Sequence, residues 1–208
     1  MIVGFDGLNG VGKTTMAKKF AEEFNYRYMS RPIYEVLGIE NQKPEENYKV
    51  ATDVENRIYN TTRSSELKAC LTGLGLLYVH KNMKDKNIVI DRDLISNFSY
   101  NGTRESLPLF EAFIKMGVYP DISFLLYANN EELVKRIKNR NPEDTDLTDK
   151  DVISQSYNKI MKFIKIYNLP TILIDTNNKS EQQVFEEIRS KYMEVLRENG
   201  DIESGWEH

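Results

Sequence analysis

The stretch GLNGVGKTT, Gly7 to Thr15, directly follows the apolar run Met1-Ile2-Val3-Gly4-Phe5. Gly7-Leu8-Asn9-Gly10-Val11-Gly12-Lys13-Thr14 fits the phosphate-loop pattern GxxxxGK[ST], with a strand pattern before it and a helix pattern after it. Glycines at 7, 10 and 12 let the backbone curl so that the N–H groups around Asn9 and Val11 converge on phosphate oxygens, and the helix starting near Lys13 adds its positive end. Lys13 is then the point charge on the β and γ phosphates. Thr14 offers its hydroxyl to Mg²⁺, and Thr15 reaches the α phosphate. A glycine-rich turn capped by Thr, with Lys13 solvated, leaves this agreement of pattern and context unexplained.

Short apolar runs alternate with longer amphipathic ones along the rest of the chain. Buried strands are expected at 2–5, 26–29, 87–90, 122–128 and 171–175. Helical patterns lie at about 13–25, 50–83, 105–117, 130–139, 149–168 and 179–197. The alternation predicts an α/β fold in three layers, a five-stranded parallel sheet flanked by helices on both faces. Ligands of such sheets gather at the carboxyl ends of the strands, which directs attention to residues 6–15, 30–35, 91–102 and the loop after 139.

At 208 residues the chain suits one domain, taken here as 1–208 with a tail fraying from about 199. A net charge of −4 argues against a nucleic-acid polymer as partner, because polyanion binding rests on many phosphate-facing cations. The single cysteine, Cys70, excludes an intrachain disulfide and reads as a small buried hydrophobe in a reducing compartment. No run of about 18 apolar residues occurs, so the expected location is cytoplasmic, without a membrane partner. The polar stretches 40–49 and 141–150 read as exposed loops. His80 and His208 form no metal set with neighbours in sequence, and Trp206 sits in the charged tail.

The segment NIVIDRDLISNFSYNG, 87–102, carries the second constellation. Asp91 can hold the water shell of a metal beside a phosphate loop, and Arg92 can bridge two phosphates with its planar fork. The alternative is that Asp91 caps the following helix and pairs with Arg92 on the surface. Tyr100 on its own reads as a half-buried core aromatic.

These two motifs resemble the thymidylate kinase family. FDGLNGVGKTT is similar to that family's F-E-G-x-D-G-x-G-K-T-T, and DRDLISNFSYNG to its D-R-Y-x-x-S-x-x-A-Y-Q-G, in agreement at Asp91, Arg92, Ser96, Tyr100 and Gly102. Pro120-Asp121 and the run toward Arg136 and Arg140 resemble its Pro-Asp strand and short lid, here about 136–150. The resemblance implies transfer of the ATP γ-phosphate to a deoxynucleoside monophosphate, most simply dTMP, with Mg²⁺. Nucleotides are the partners it implies, and a homodimer is an assembly it allows. Lys13, Asp91 and Arg92 would serve the transfer. Asn9, Arg31, Arg63, Arg92, Ser96 and Tyr100 would bind the acceptor. Thr14 and Asp91 would hold the metal.

Departures from the family pattern fall on the acceptor side. Asn9 stands where the family has an aspartate for the sugar hydroxyl, making that contact neutral. Gly10 stands where some members carry an arginine, so the missing cation is expected from Arg136 and Arg140, which share a helix face. Ser30-Arg31-Pro32 replaces Arg-Glu-Pro, so Arg31 is either the acceptor-phosphate arginine or stands in the glutamate's place, and the base-facing arginine of the long helix is absent, leaving Arg63 or Lys68 as substitutes or as surface charges. Two rivals stay open. A deoxynucleoside kinase needs a carboxylate base, for which Glu35 is the nearest candidate; a non-catalytic nucleotide-binding regulator would more naturally have lost Lys13, Asp91 or Arg92.

Overall fold

A computed structural model describes residues 1–37, 45–83, 86–140 and 150–200. Five strands, β1 (Ile2–Gly7), β2 (Arg27–Met29), β3 (Ile88–Asp91), β4 (Ile122–Tyr127) and β5 (Thr171–Asp175), form one parallel sheet in the order β2-β3-β1-β4-β5. The central strand β1 is buried along its whole length, which is why IVGFDG reads as a continuous apolar run ended by Asp6 and Gly7.

Helices α1 (Lys13–Glu23) and α9 (Glu181–Glu198) pack together over one face, where Phe20 meets Phe5, Phe124 and Tyr192. The other face carries α4 (Ser65–Asn82), α5 (Leu94–Asn101), α6 (Leu107–Lys115) and α8 (Lys150–Tyr167), with Phe98 and Phe163 stacked 3.8 Å apart between α5 and α8. Three shorter or peripheral helices complete the described residues: α2 (Ile33–Val36), α3 (Glu45–Thr61) and α7 (Asn130–Arg140). The expected five-stranded parallel sheet flanked by helices is therefore the architecture found.

Several sequence expectations are corrected. The single helix expected over 50–83 is two, α3 and α4, because Ser64 turns the chain and caps α4 by accepting from the amide of Leu67 at 3.2 Å. Residues 45–49 are helical rather than loop, as the start of α3. The helix after β3 is α5, which the expected helical spans omit, and its cap is Asp93, whose side chain accepts the Leu94 amide at 2.6 Å, not Asp91. Cys70 is exposed instead of buried. The loop 141–149 and the tail 201–208, with Trp206 and His208, lie outside the described residues, and so does the Arg140 side chain.

The register fixes what reaches the site. Phe5 pairs with Asp91 and Gly7 with Leu126, so β1 runs two residues past the end of β3 and carries the phosphate loop beyond Asp91 at the same edge. Asp121 anchors the opposite end, accepting the amide of Ile2 at 2.7 Å.

Candidate active site

The loop from Gly7 to Gly12 curls through left-handed backbone at Gly10 (φ 84°) and Gly12 (φ 95°), conformations that cost a side-chain-bearing residue about 1–3 kcal/mol. A Cβ at Gly10 would also sit 2.9 Å from Ile137 of α7. The loop therefore packs against α7 at Gly10. The loop residues Gly10, Gly12, Lys13, Thr14 and Thr15 line a cavity of about 230 Å³, shared with Arg92 and Arg136. Lys13 is buried at 4% exposure and donates to the carbonyl of Leu8 at 2.6 Å.

Thr14 and Asp91 meet directly: Thr14 Oγ1 donates to Asp91 Oδ2 at 2.6 Å, and Tyr28 OH donates to the same oxygen at 3.1 Å. Burial and the neighbouring Asp91 charge push the Tyr28 hydroxyl pKa up, so it stays a donor. The second oxygen, Asp91 Oδ1, is buried without a partner, an arrangement that costs about 1–3 kcal/mol unless something else satisfies it. A carboxylate oxygen left open beside a phosphate-loop hydroxyl fits Mg²⁺, a hard cation that takes one or two protein oxygens plus phosphates and waters.

Arg92 occupies a left-handed conformation, φ 81°, and its amide donates to the carbonyl of Phe5 at 3.0 Å. Its guanidinium donates to Asn9 Oδ1 at 2.8 Å and to Tyr100 OH at 2.9 Å, and lies 5.4 Å from the Tyr100 ring centroid. Tyr100 OH donates in turn to Asn9 Oδ1 at 2.9 Å. Tyr100 is 49% exposed, half-buried as expected but outside the core, with its hydroxyl on Arg92 and Asn9.

Two further cavities of about 310 Å³ each open beyond Arg92. One lies among Arg31, Pro32, Glu55, Thr72 and Asp91; the other lies among Asn9, Tyr59, Thr72, Ser96, Asn97 and Tyr100. Arg92 lines both of these and the loop cavity, so it stands where a donor and an acceptor would meet. Arg31 is paired with Glu55 and donates to Tyr34 OH at 2.9 Å. Ser96 is 1% exposed, and its amide donates to Asp6 Oδ1 at 2.9 Å. Glu35 is taken up by Arg27, with its side chain 7% exposed. Arg63 is exposed in the turn between α3 and α4 and lines none of these cavities.

Arg136 is held firmly on the donor side. Its Nε donates to Glu132 at 2.8 Å, and its Nη1 and Nη2 donate to the hydroxyl and carbonyl of Thr176 at 3.1 and 2.7 Å. It faces a cavity of about 310 Å³ with Gly10, Gly12, Thr15, Lys179 and Val184. Sequence reasoning missed Glu55, Tyr59, Thr72, Asn97 and the anchoring role of Asp6. Asp6 and Asn97 lie inside the two motifs, but their partners, like those of the others, are distant in the chain.

A family model described as thymidylate kinase matches residues 5–188. The probable thymidylate kinase of Methanocaldococcus jannaschii is 27% identical over 196 residues, covering 90% of this chain and 93% of that one. The solved thymidylate kinase of Ehrlichia chaffeensis is similar in fold, with a TM-score of 0.59 at 18% identity, covering 93% of this chain and 98% of that one. The deoxyadenosine kinase of M. mycoides with bound dATP is equally similar in fold, 0.59 at 19% identity, covering 93% of this chain and 100% of that one. The chain belongs to the thymidylate kinase family, whose members are ATP-dependent nucleoside monophosphate kinases.

Proposed function

We propose that the chain works as a single kinase domain that transfers the γ-phosphate of ATP to dTMP, giving the diphosphate. The observation that carries this reading is Arg92, which lines the loop cavity and both acceptor cavities while tied to Asn9 and Tyr100. A monophosphate acceptor is already anionic at pH 7 and needs a cation between the two phosphates, whereas a nucleoside hydroxyl needs a carboxylate base. Glu35 is occupied by Arg27, and Glu55 by Arg31, so neither is held as a lone base.

In this reading the loop amides and Lys13 take the β and γ phosphates, Thr15 the α phosphate, and Thr14 with Asp91 the metal. When bound, Mg²⁺ supplies neutralisation of charge across the β- and γ-phosphoryl oxygens. Arg92 stabilises the transferring group, and Arg31 attracts the acceptor phosphate from the far side of the same cavity. Tyr100 stacks near the acceptor base, Ser96 keeps that segment in place, and Asn9 accepts from the sugar hydroxyl. Arg63 would have to approach from the α3–α4 turn. Arg136, fixed to Thr176, offers a flat cation to the donor nucleotide, and Arg140 belongs to the same lid.

The protein in this reading is cytoplasmic. No described helix is long and apolar enough to cross a membrane. A homodimer is supported by an apolar stripe on α4, where Leu67, Cys70, Leu74 and Tyr78 are exposed at helical spacing. A monomer by sedimentation velocity at micromolar concentration would remove the dimer.

The deciding experiment is an acceptor panel: deoxynucleosides and their monophosphates with Mg-ATP, products followed by chromatography. Conversion of dTMP to the diphosphate is expected. Phosphorylation of thymidine with dTMP untouched would overturn the reading in favour of a nucleoside kinase.

A further inference from the structure

His80, Asp93 and Asp6 are each 0% exposed, three ionisable side chains in the core between α4, α5 and β1. Nε2 of His80 faces both carboxylate oxygens of Asp93, at 3.2 and 3.1 Å. Asp93 Oδ1 also accepts the Leu94 amide. Asp6 Oδ1 accepts the amides of Asp93 at 3.1 Å and Ser96 at 2.9 Å, while Asp6 Oδ2 accepts from Ser123 Oγ of β4 at 2.7 Å.

Arg92 sits at the focus of these contacts. Its own amide is bound to the carbonyl of Phe5 and the next amide to the side chain of Asp6, so consecutive residues of β1 grip the peptide groups on both sides of it. That grip holds the left-handed backbone, φ 81°, which aims the guanidinium at Asn9, three residues after Asp6 on the phosphate loop. We propose that His80, through Asp93 and Asp6, is a positioning residue for phosphoryl transfer: the buried chain fixes the direction of Arg92 relative to the phosphate loop.

A structural cap alone does not account for His80. Asp93 caps α5 without help, and with His80 Nε2 donating to Asp93, His80 Nδ1 is left buried without a partner. Around it α4 buries Leu76 and Val79, so an apolar side chain at position 80 would spare the desolvation of an imidazole facing a carboxylate. Residues kept against such a cost concentrate where geometry must be held, and here the held residue is the cation between donor and acceptor.

The inference rests on the kinase reading above, and its test separates the two. His80→Leu and His80→Gln are compared with the parent protein, each with intact Arg92 and with Arg92→Ala. The amide nitrogen of Gln can still donate to Asp93; Leu cannot. Expected are a kcat lower by about tenfold or more for His80→Leu, with the KM for ATP within about twofold, and most of the loss recovered by His80→Gln. In the Arg92→Ala background His80→Leu should change nothing further, because the two act through one contact. Independently of turnover, the Arg92 Nε–H signal in ¹⁵N NMR, assigned by its loss in Arg92→Ala, should move in His80→Leu and stay in His80→Gln.

An unmoved signal, an unchanged kcat in folded His80→Leu, or an equal loss with and without Arg92 overturns the proposal. If His80→Leu does not fold, Asp6→Ala with Asp6→Asn as its isosteric rescue carries the same comparison; failure of both to fold assigns the chain to stability alone and equally overturns it. A parent protein inactive on every acceptor overturns the kinase reading, and the NMR comparison then decides this one.

Discussion

Arg92 donates to the side-chain oxygen of Asn9 at 2.8 Å, joining the segment after β3 to the phosphate loop after β1. The contact spans 83 residues of sequence and places a cation where both nucleotide cavities open. It is reached through strained backbone, since φ at Arg92 is 81°. Function and stability are therefore in opposition at this residue.

Two substitutions separate that opposition. Arg92→Ala and Arg92→Gly both remove the guanidinium, and each should lower kcat by orders of magnitude, because the lost charge acts on the transition state. Glycine also accepts the left-handed conformation without penalty, so Arg92→Gly should be more stable than Arg92→Ala by about 1 kcal/mol. Urea denaturation checks the difference. Equal midpoints would mean that the backbone at 92 stores no strain.

Asn9 receives two donors, Arg92 and Tyr100, on one neutral oxygen. Asn9→Ala leaves both without that acceptor and should reduce kcat/KM for dTMP by about tenfold, from the loss of roughly 1–2 kcal/mol of hydrogen bonding to a charged group. Asn9→Asp keeps the geometry and adds charge, so it should retain activity or lower the acceptor KM. Steady-state kinetics at saturating ATP distinguish these cases. A loss in Asn9→Asp as deep as in Asn9→Ala would show that the neutral amide is required.

Asp6 gives a pH signature. Burial, and next the neighbouring Asp93 charge, push its carboxyl up to about 6 from an ordinary 3.8, against hydrogen bonds from Ser96 and Ser123 that act the other way. Between those two values the folded protein keeps a proton that the unfolded chain has released, so stability falls as pH rises through the window and stays reduced above it. Asp6→Asn is neutral and nearly isosteric. It should be more stable than the parent at pH 7 by on the order of 1–3 kcal/mol, the gap closing toward pH 4. Unfolding midpoints measured across pH 4–8 test this; a gap that does not change with pH would contradict it.

What could be read from sequence follows from how locally each feature is encoded. The phosphate loop and Asp91-Arg92 are short, contiguous and each preceded by a strand, so spacing sufficed to bring Thr14 and Asp91 together. Helix α4 was harder, because apolar residues surround it. Leu67, Leu74 and Tyr78 are exposed while Leu76 and Val79 are buried, so periodicity carried no direction and Cys70 was put on the wrong side. The break before α4 lacks both glycine and proline; Thr62-Arg63-Ser64 turns on a serine cap that a helical pattern conceals. His80 looked isolated because its partner Asp93 is thirteen residues away, and Asp6 meets Asp93 and Ser96 across 87 and 90 residues. No local pattern encodes contacts of that range.

On the acceptor side Gly75 of α4 packs directly against backbone. A Cβ there would lie 2.3 Å from the amide nitrogen of Ile33 and 2.6 Å from the carbonyl carbon of Pro32, both backbone atoms, so the neighbour cannot simply change rotamer. Pro32 and Ile33 line the cavity that also contains Thr72, one turn before Gly75, together with Asp91 and Arg92. Gly75→Ala gains about 1 kcal/mol of helix propensity but meets an overpacking cost of about 1–3 kcal/mol, so net stability should fall slightly. The strain should be relieved by moving the Arg31–Ile33 segment, which links the three-residue edge strand β2 to the short helix α2, rather than α4 in the core. Arg31 then recedes from Arg92, and a shift near 1 Å in a positioning group costs up to about a hundredfold in rate. Gly75→Ala should therefore raise the KM for dTMP and lower kcat, with the KM for ATP little changed, because the phosphate loop packs elsewhere. An altered ATP KM with normal acceptor kinetics would show that this helix contact serves the donor instead.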